Sequence, residues 1–263
     1  MSSGAPASPV DLLGIPFWPV TEAETVAHIV EEASAGRGGW LVTPNLEILR
    51  QCESDAAVHA MVRRADVIVA DGMPLIWASR LQGGRPLPER VCGSNLVSSL
   101  SAEASARGLR VYLFGGADDT SERASELLRE RHPGLEIVGA YGPPYGFEKD
   151  DAEMASIVER IEAAKPNIVF FALPFPKGER VLERIRHAAP DAWWCGVGVS
   201  FSFLTGDVQR APRWMQRTGL EWIHRLSQEP KRLARRYLVD GIPFAVRLLV
   251  RAPLGRVQRR GDG

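Results

Sequence analysis

Six short apolar runs, separated by stretches with helical spacing, set the strongest limit on what this chain can fold into. The runs are Trp40–Thr43, Val67–Ala70, Val111–Phe114, Glu136–Ala140, Ile168–Leu173 and Trp193–Val197. Most are continuously apolar rather than alternating, as in strands covered on both faces. Helix signals lie between them. Thr21-Glu-Ala-Glu24 reads as a capping box opening a helix to about Ala35. Asp55 is placed to cap Ala56–Arg64, and Thr120 or Ser121 to cap a helix that ends at Arg131, before Pro133-Gly134. Asp151–Ala164 stops at Lys165-Pro166, and Lys177–Ala188 stops before Pro190. Strands alternating with helices imply a parallel sheet joined by right-handed crossovers. The expected fold class is α/β, a Rossmann-like parallel sheet flanked by helices.

The pattern changes after Gly206, where no further strand signal occurs. Thr218-Gly-Leu-Glu221 reads as another capping box leading to Ser227, and Pro230 starts a second helix. At about 100° per residue, Leu233, Tyr237 and Leu238 share one side of it and Arg232, Arg235 and Arg236 cluster on another. A third segment, Phe244–Val250, is apolar with Arg247 and Arg251 beside it. Three regions follow: a disordered N-terminus at 1–9, an α/β core at 10–207, and a basic amphipathic helical appendage at 208–263.

Charge separates the last two. The chain has no formal net charge, yet residues 209–263 hold 13 Lys/Arg against 4 Asp/Glu, and the first 208 hold 19 against 28. A basic tail with apolar and Trp-bearing faces on an acidic body suits an anionic membrane surface rather than nucleic acid. The longest uncharged stretch, Ala192–Gly206, is too short and glycine-rich to span a bilayer, which needs about 20 apolar residues. Residues 1–9 lack the basic start and apolar stretch of a secretory signal. Cys52, Cys92 and Cys195 have no ligand spacing and read as reduced core thiols. The five histidines are scattered, and Asp118-Asp119 and Asp150-Asp151 read as helix caps, so no metal is expected.

In a parallel α/β sheet the site lies at the carboxyl ends of the strands. The segments there are Thr43-Pro-Asn45, Asp71-Gly-Met-Pro74, Gly115-Gly116, Pro174-Phe-Pro-Lys-Gly-Glu179 and Gly196-Val-Gly198. Asp71 follows an apolar run, where desolvation would raise its pKa toward that of a useful base; the alternative is a cap for a helix starting near Pro74. Gly115-Gly116 offers either free N–H groups for a phosphate or a tight strand–helix turn. Gly196 and Gly198 carry the same ambiguity. Arg90 is either a phosphate fork or half of a surface ion pair.

Together these segments resemble the WecG/TagA/CpsF glycosyltransferases. The matching stretches are Thr43-Pro-Asn-Leu-Glu47, Ala65–Pro74, Glu89-Arg-Val-Cys-Gly93, Val111–Gly116, Gly196–Phe201 and, most specifically, Arg210–Arg225 with Glu229-Pro-Lys-Arg-Leu233 after it. The resemblance implies an inverting enzyme of bacterial envelope polysaccharide synthesis, peripheral on the inner face of the cell membrane. It would move a sugar of N-acetylmannosamine or glucose type from a UDP-sugar to a polyprenyl-diphosphate-linked saccharide, with no cofactor. The family's pocket Thr, Asn and candidate base Asp fall on Thr43, Asn45 and Asp71, and its arginine on Arg90. Its C-terminal arginines fall among Arg225, Arg232 and Arg235, with Arg236 beside them. Gly115, Gly116, Gly196, Gly198 and Lys177 are then assigned to the donor diphosphate. One departure stands out: Gly178 occupies the place of a glutamine in the family's Pro-Lys-Gln-Glu. Two other classes remain open, a different Rossmann-like nucleotide-binding enzyme and a non-catalytic membrane-surface module, as does self-association.

Overall fold

The computed structural model describes residues 8–117 and 119–254. The stretch read as disordered, 1–9, lies mostly outside these, as does Asp118.

All six expected strands form. They are β3 (Gly39–Val42), β4 (Val67–Ile68), β5 (Arg110–Gly115), β6 (Glu136–Tyr141), β7 (Ile168–Ala172) and β8 (Trp193–Gly196). Ahead of them β1 (Val10–Leu12) and β2 (Ile15–Phe17) make an antiparallel hairpin that sequence reasoning missed. Its turn is Leu13-Gly14, with φ of 55° and 82°, the left-handed pair that a two-residue hairpin turn requires. The other six strands form one sheet, all pairs parallel, in the order β4-β3-β8-β7-β5-β6.

The continuous apolar runs are explained by burial on both faces. Trp40, Val42, Tyr112, Phe114, Val169, Phe171 and Trp194 belong to one core cluster. Their neighbours Leu41, Val111, Leu113, Ile168, Phe170, Trp193 and Cys195 belong to the other. Successive residues point to opposite faces of a strand, so each run fills two layers at once. The architecture is Rossmann-like α/β.

Helix starts follow the local chemistry with two exceptions. Thr21 and Glu24 make the capping box of Glu22–Ser34. Asp55 accepts from the amides of Ala57 and Val58, and Asp150 from those of Ala152 and Glu153. At Thr120–Arg131, however, the N-cap is Asp119, and Thr120 and Ser121 are buried in the first turn. The expected box at Thr218-Glu221 does not form either. The Thr218 hydroxyl donates to the carbonyls of Trp214 and Met215, ending the Arg213–Thr218 helix, and the Glu221 carboxylate turns to accept from Arg90.

From Arg213 onward the described chain is helical apart from short turns. Its segments are Arg213–Thr218, Glu221–Gln228, Pro230–Ala234, a wide π-helical stretch Arg235–Gly241, and Ile242–Arg251. The π-helical stretch breaks the expected 100° spacing: Leu233 is buried, but Leu238 is 47% exposed and does not share its side. Phe244 and Leu248 join the core cluster with Leu75, Ile76 and Ala78 of the Met73–Gln82 helix. Burying Leu233, Phe244 and Leu248 contributes roughly 1.5–3 kcal/mol each. That is enough to seat the appendage on the core rather than leave it tethered.

Candidate active site

The carboxyl ends of β3, β4 and β8 lie side by side at one edge, where backbone hydrogen bonds stitch the following loops together. Asp71 N–H donates to Pro44 at 3.0 Å, and Val91 N–H to Ala70 at 2.9 Å. The backbone at Gly93 packs so closely on Val197 that a β-carbon there would stand 3.0 Å from the Val197 Cα. The loops carrying Thr43 and Asn45, Asp71, Arg90 and Gly198 are thereby gathered at one rim.

Asp71 is not a helix cap. The Met73–Gln82 helix is capped by Gly72, at φ 153°, with no side-chain bond. The carboxylate is left facing the rim, with its side chain 28% exposed. Burial pushes its pKa up to about 6; Arg90, Arg210 and Arg225 work against this, and Glu221 works with it. A carboxylate in that range is matched to taking a proton near neutral pH.

Arg90 is nearly enclosed, its side chain 14% exposed. Its Nη1 donates to Glu221 Oε2 at 2.7 Å, its Nη2 points at Cys92 Sγ at 3.7 Å, and its Nε stands 3.8 Å from Asp71 Oδ1. It is not a surface ion pair. Burial disfavours its charge, but the two carboxylates outweigh this and raise its pKa. Arg210 donates to Asn95 Oδ1 at 2.8 Å and approaches Cys92 Sγ at 3.3 Å. Cys92 is thus a buried thiol, as expected, but one wedged between two site arginines.

The remaining expected residues divide. Asn45 uses its Oδ1 to cap the Leu46–Ser54 helix, accepting from Glu47 and Ile48, which leaves its Nδ2 to face outward chemistry. Thr43 is half-buried directly after β3. Gly198, at φ 53°, borders open space. Arg225 lies with its guanidinium 5.7 Å from the Phe203 ring.

Others are committed elsewhere. Gly116 N–H donates to Ala172 O at 3.0 Å, so this amide belongs to the sheet. Gly115, at φ 99°, would place a β-carbon 2.8 Å from the same oxygen. The two glycines therefore serve close packing, and β5 lies four strand spacings from β4, about 19 Å. Lys177 sits 2.7 Å from Glu148 Oε2 and over the Phe147 ring, paired rather than free for the expected diphosphate role. Arg232 pairs with Glu229, Arg235 is exposed, and Arg236 lies over Tyr237. Gly196 packs against Phe171, and its β-carbon position is 3.7 Å from Glu179 Oε1. A side chain at Gly178 would stand 3.0 Å from Leu173 Cβ, so Leu173 would have to give way by a few tenths of an ångström.

Sequence reasoning missed Glu221 and Arg210. Glu221 was absorbed into a capping pattern, and Arg210 was one cation among 13 in a basic tail. The usable signal for Glu221 was its isolation: between Asp207 and Glu229 it is the one carboxylate in an arginine-rich segment. No group of three His, Cys, Asp or Glu side chains converges among the described residues. No described helix is long and apolar enough to cross a membrane.

Comparison with known proteins identifies the family. The profile of the glycosyl transferase WecG/TagA/CpsF family matches residues 10–258. The N-acetylglucosaminyldiphosphoundecaprenol N-acetyl-beta-D-mannosaminyltransferase of Bacillus spizizenii is 35% identical over 199 residues, which cover 76% of this chain and 75% of that protein. The chain belongs to the WecG/TagA/CpsF family of glycosyl transferases.

Proposed function

We propose that this protein transfers a hexosyl group from a UDP-sugar to a polyprenyl-diphosphate-linked saccharide, with inversion, at a membrane surface. The observation that carries the reading is the uncapped, desolvated Asp71 beside the Arg90, Arg210 and Arg225 charges. The Bacillus spizizenii relative, named for a diphosphoundecaprenol acceptor and a β-mannosaminyl product, supports the acceptor class. A β product also accords with inversion of an α-linked donor.

In this mechanism Asp71 takes the proton from the acceptor hydroxyl as its oxygen attacks the anomeric carbon. The bond from that carbon to the β-phosphate oxygen breaks, and UDP departs with the electron pair. The growing negative charge is met by arginines fixed before the reaction, which costs little reorganisation. Arg90, Arg210 and Arg225 are the candidates, with Gly198 N–H assisting. The guanidinium set supplies the charge, so the proposal invokes no metal. Thr43 and the Asn45 Nδ2 would orient a sugar.

The appendage would place this site at the lipid. Ile242, Val246 and Val250, four residues apart on one helix, are 43%, 56% and 66% exposed, and Trp214 is 60% exposed. Exposed Lys231, Arg232 and Arg235 accompany them. An apolar stripe flanked by cations suits the cytoplasmic face of a membrane.

A panel of UDP-sugars with a short-chain prenyl-diphosphate-linked N-acetylglucosamine acceptor tests the reading. Acceptor-dependent UDP release with a β-linked product is expected for an N-acetylmannosamine-type or glucose-type donor. Release from no donor, or an α-linked product, would overturn it.

A further inference from the structure

We infer that Glu221 is a positioning residue: it holds the Arg90 guanidinium off the Asp71 carboxylate, so that the cation serves the site without capturing its base. This rests on the proposed role of Asp71.

Arg90 stands between two carboxylates and bonds to one of them. Its Nη1 reaches Glu221 Oε2 at 2.7 Å, whereas its nearest approach to Asp71 is 3.8 Å, through Nε. A guanidinium fork and a carboxylate prefer two parallel hydrogen bonds. All three side chains are shielded, with exposures of 14% for Arg90, 20% for Glu221 and 28% for Asp71. Without a competing acceptor, Arg90 would close on Asp71. The base would lose the lone pairs that a substrate hydroxyl needs, and its pKa would fall.

Glu221 reaches this place by design of the backbone. Gly219 ends the Arg213–Thr218 helix in the left-handed conformation, at φ 76°, and a β-carbon there would stand 2.9 Å from Met73 Cβ. The close approach brings Leu220 and Glu221 over the Asp71 loop, three residues before Pro74. The Arg90–Glu221 bond, between positions 131 apart, therefore joins appendage to core at the base itself. A seated appendage and a free base become one condition.

The charged and titratable groups facing Asp71 are Arg90, Glu221, Arg210, Arg225 and the Cys92 thiol. Glu221 raises the Asp71 pKa and the three arginines lower it. Glu221→Gln removes the raising charge and weakens the hold on Arg90, and both changes act downward.

The test is titration of carboxyl-labelled aspartates by carbon NMR in the full-length protein, with Asp71 assigned through Asp71→Asn. Asp71 is expected to titrate at about 6 in the unmodified protein. In Glu221→Gln it should titrate about one unit or more lower, and the acidic limb of kcat should move with it. Plateau kcat should drop about tenfold while donor KM changes little, because Arg90 remains. Glu221→Asp keeps the charge and should leave the titration near its original place; if the glutamine variant unfolds, Glu221→Ala, which removes both charge and acceptor, takes its place and should show the same downward shift. An unshifted Asp71 in Glu221→Gln, or equal shifts in both variants, would overturn the inference. If Asp71→Asn is inactive and Glu221→Gln is unshifted, only this inference fails. If Asp71→Asn is fully active, the base reading fails first.

Discussion

The Arg90 Nε approaches Asp71 Oδ1 to 3.8 Å, close enough to act on its charge and too far to hydrogen-bond it. In the proposed mechanism transfer needs the ionised carboxylate, so turnover should rise as pH rises toward about 6 and level off above it. Arg90 holds the Asp71 pKa down against burial, so Arg90→Gln should move this limb upward. If Arg90 meets the departing diphosphate as proposed, losing its charge should also lower kcat by about 10²–10³-fold. A pH–rate profile of both proteins checks direction and size together.

Glu179, in the Lys177–Ile185 helix that follows β7, is 6% exposed, and its Oε2 makes no hydrogen bond among the described residues. Burial raises its pKa from 4.5 to about 7. A carboxyl raised on folding favours the native state while protonated, and that stability is lost as pH rises through the folded value. Folding stability should therefore fall between about pH 4.5 and 7. Glu179→Gln should flatten that decline and gain about 1–3 kcal/mol at pH 8. Thermal melts at pH 5 and pH 8 measure it.

Gly115 separates two meanings of a glycine pair. With φ at 99° and the Ala172 oxygen 2.8 Å from any β-carbon, Gly115→Ala should cost at least about 1–3 kcal/mol of stability. Donor KM for the fraction that remains folded should stay within about twofold. A phosphate cradle would instead show a raised donor KM with unchanged melting.

Much of this molecule was legible beforehand because burial writes directly into sequence. Runs such as Ile168–Ala172 are apolar at every position since both sheet faces are covered, and their helices carry local caps such as Thr21 and Asp55. Asp71 was legible as a strand-end carboxylate, but cap and base differ only in where one side chain points. The site's other half was hidden, because Glu221 and Arg210 lie over 100 positions from their partners Arg90 and Asn95. Local pattern does not encode that pairing, and it misassigned Glu221 to the nearest helix. The hairpin at Leu13-Gly14 was missed because its strands are three residues each, too short for an alternating signal.

The exposed arginines of the appendage should govern membrane partition. Arg235 has no carboxylate within ion-pairing distance among the described residues, and Arg232 is 63% exposed despite its Glu229 partner. Each basic residue near an anionic surface contributes about 1 kcal/mol. Arg232→Glu with Arg235→Glu should therefore weaken binding to phosphatidylglycerol vesicles by at least about tenfold. Turnover on vesicle-borne acceptor should fall with it, while turnover on a soluble short-chain acceptor should hold. Vesicle co-sedimentation beside the two assays provides the comparison.

Single-turnover transfer by Asp71→Asn, on protein shown to be folded by its melt, bears most directly on the site. Asparagine keeps the shape and removes the proton acceptor, so the chemical step should slow by about 10²–10⁴-fold with donor binding intact. Transfer within about twofold of the unmodified protein would contradict the assignment of Asp71 as the base.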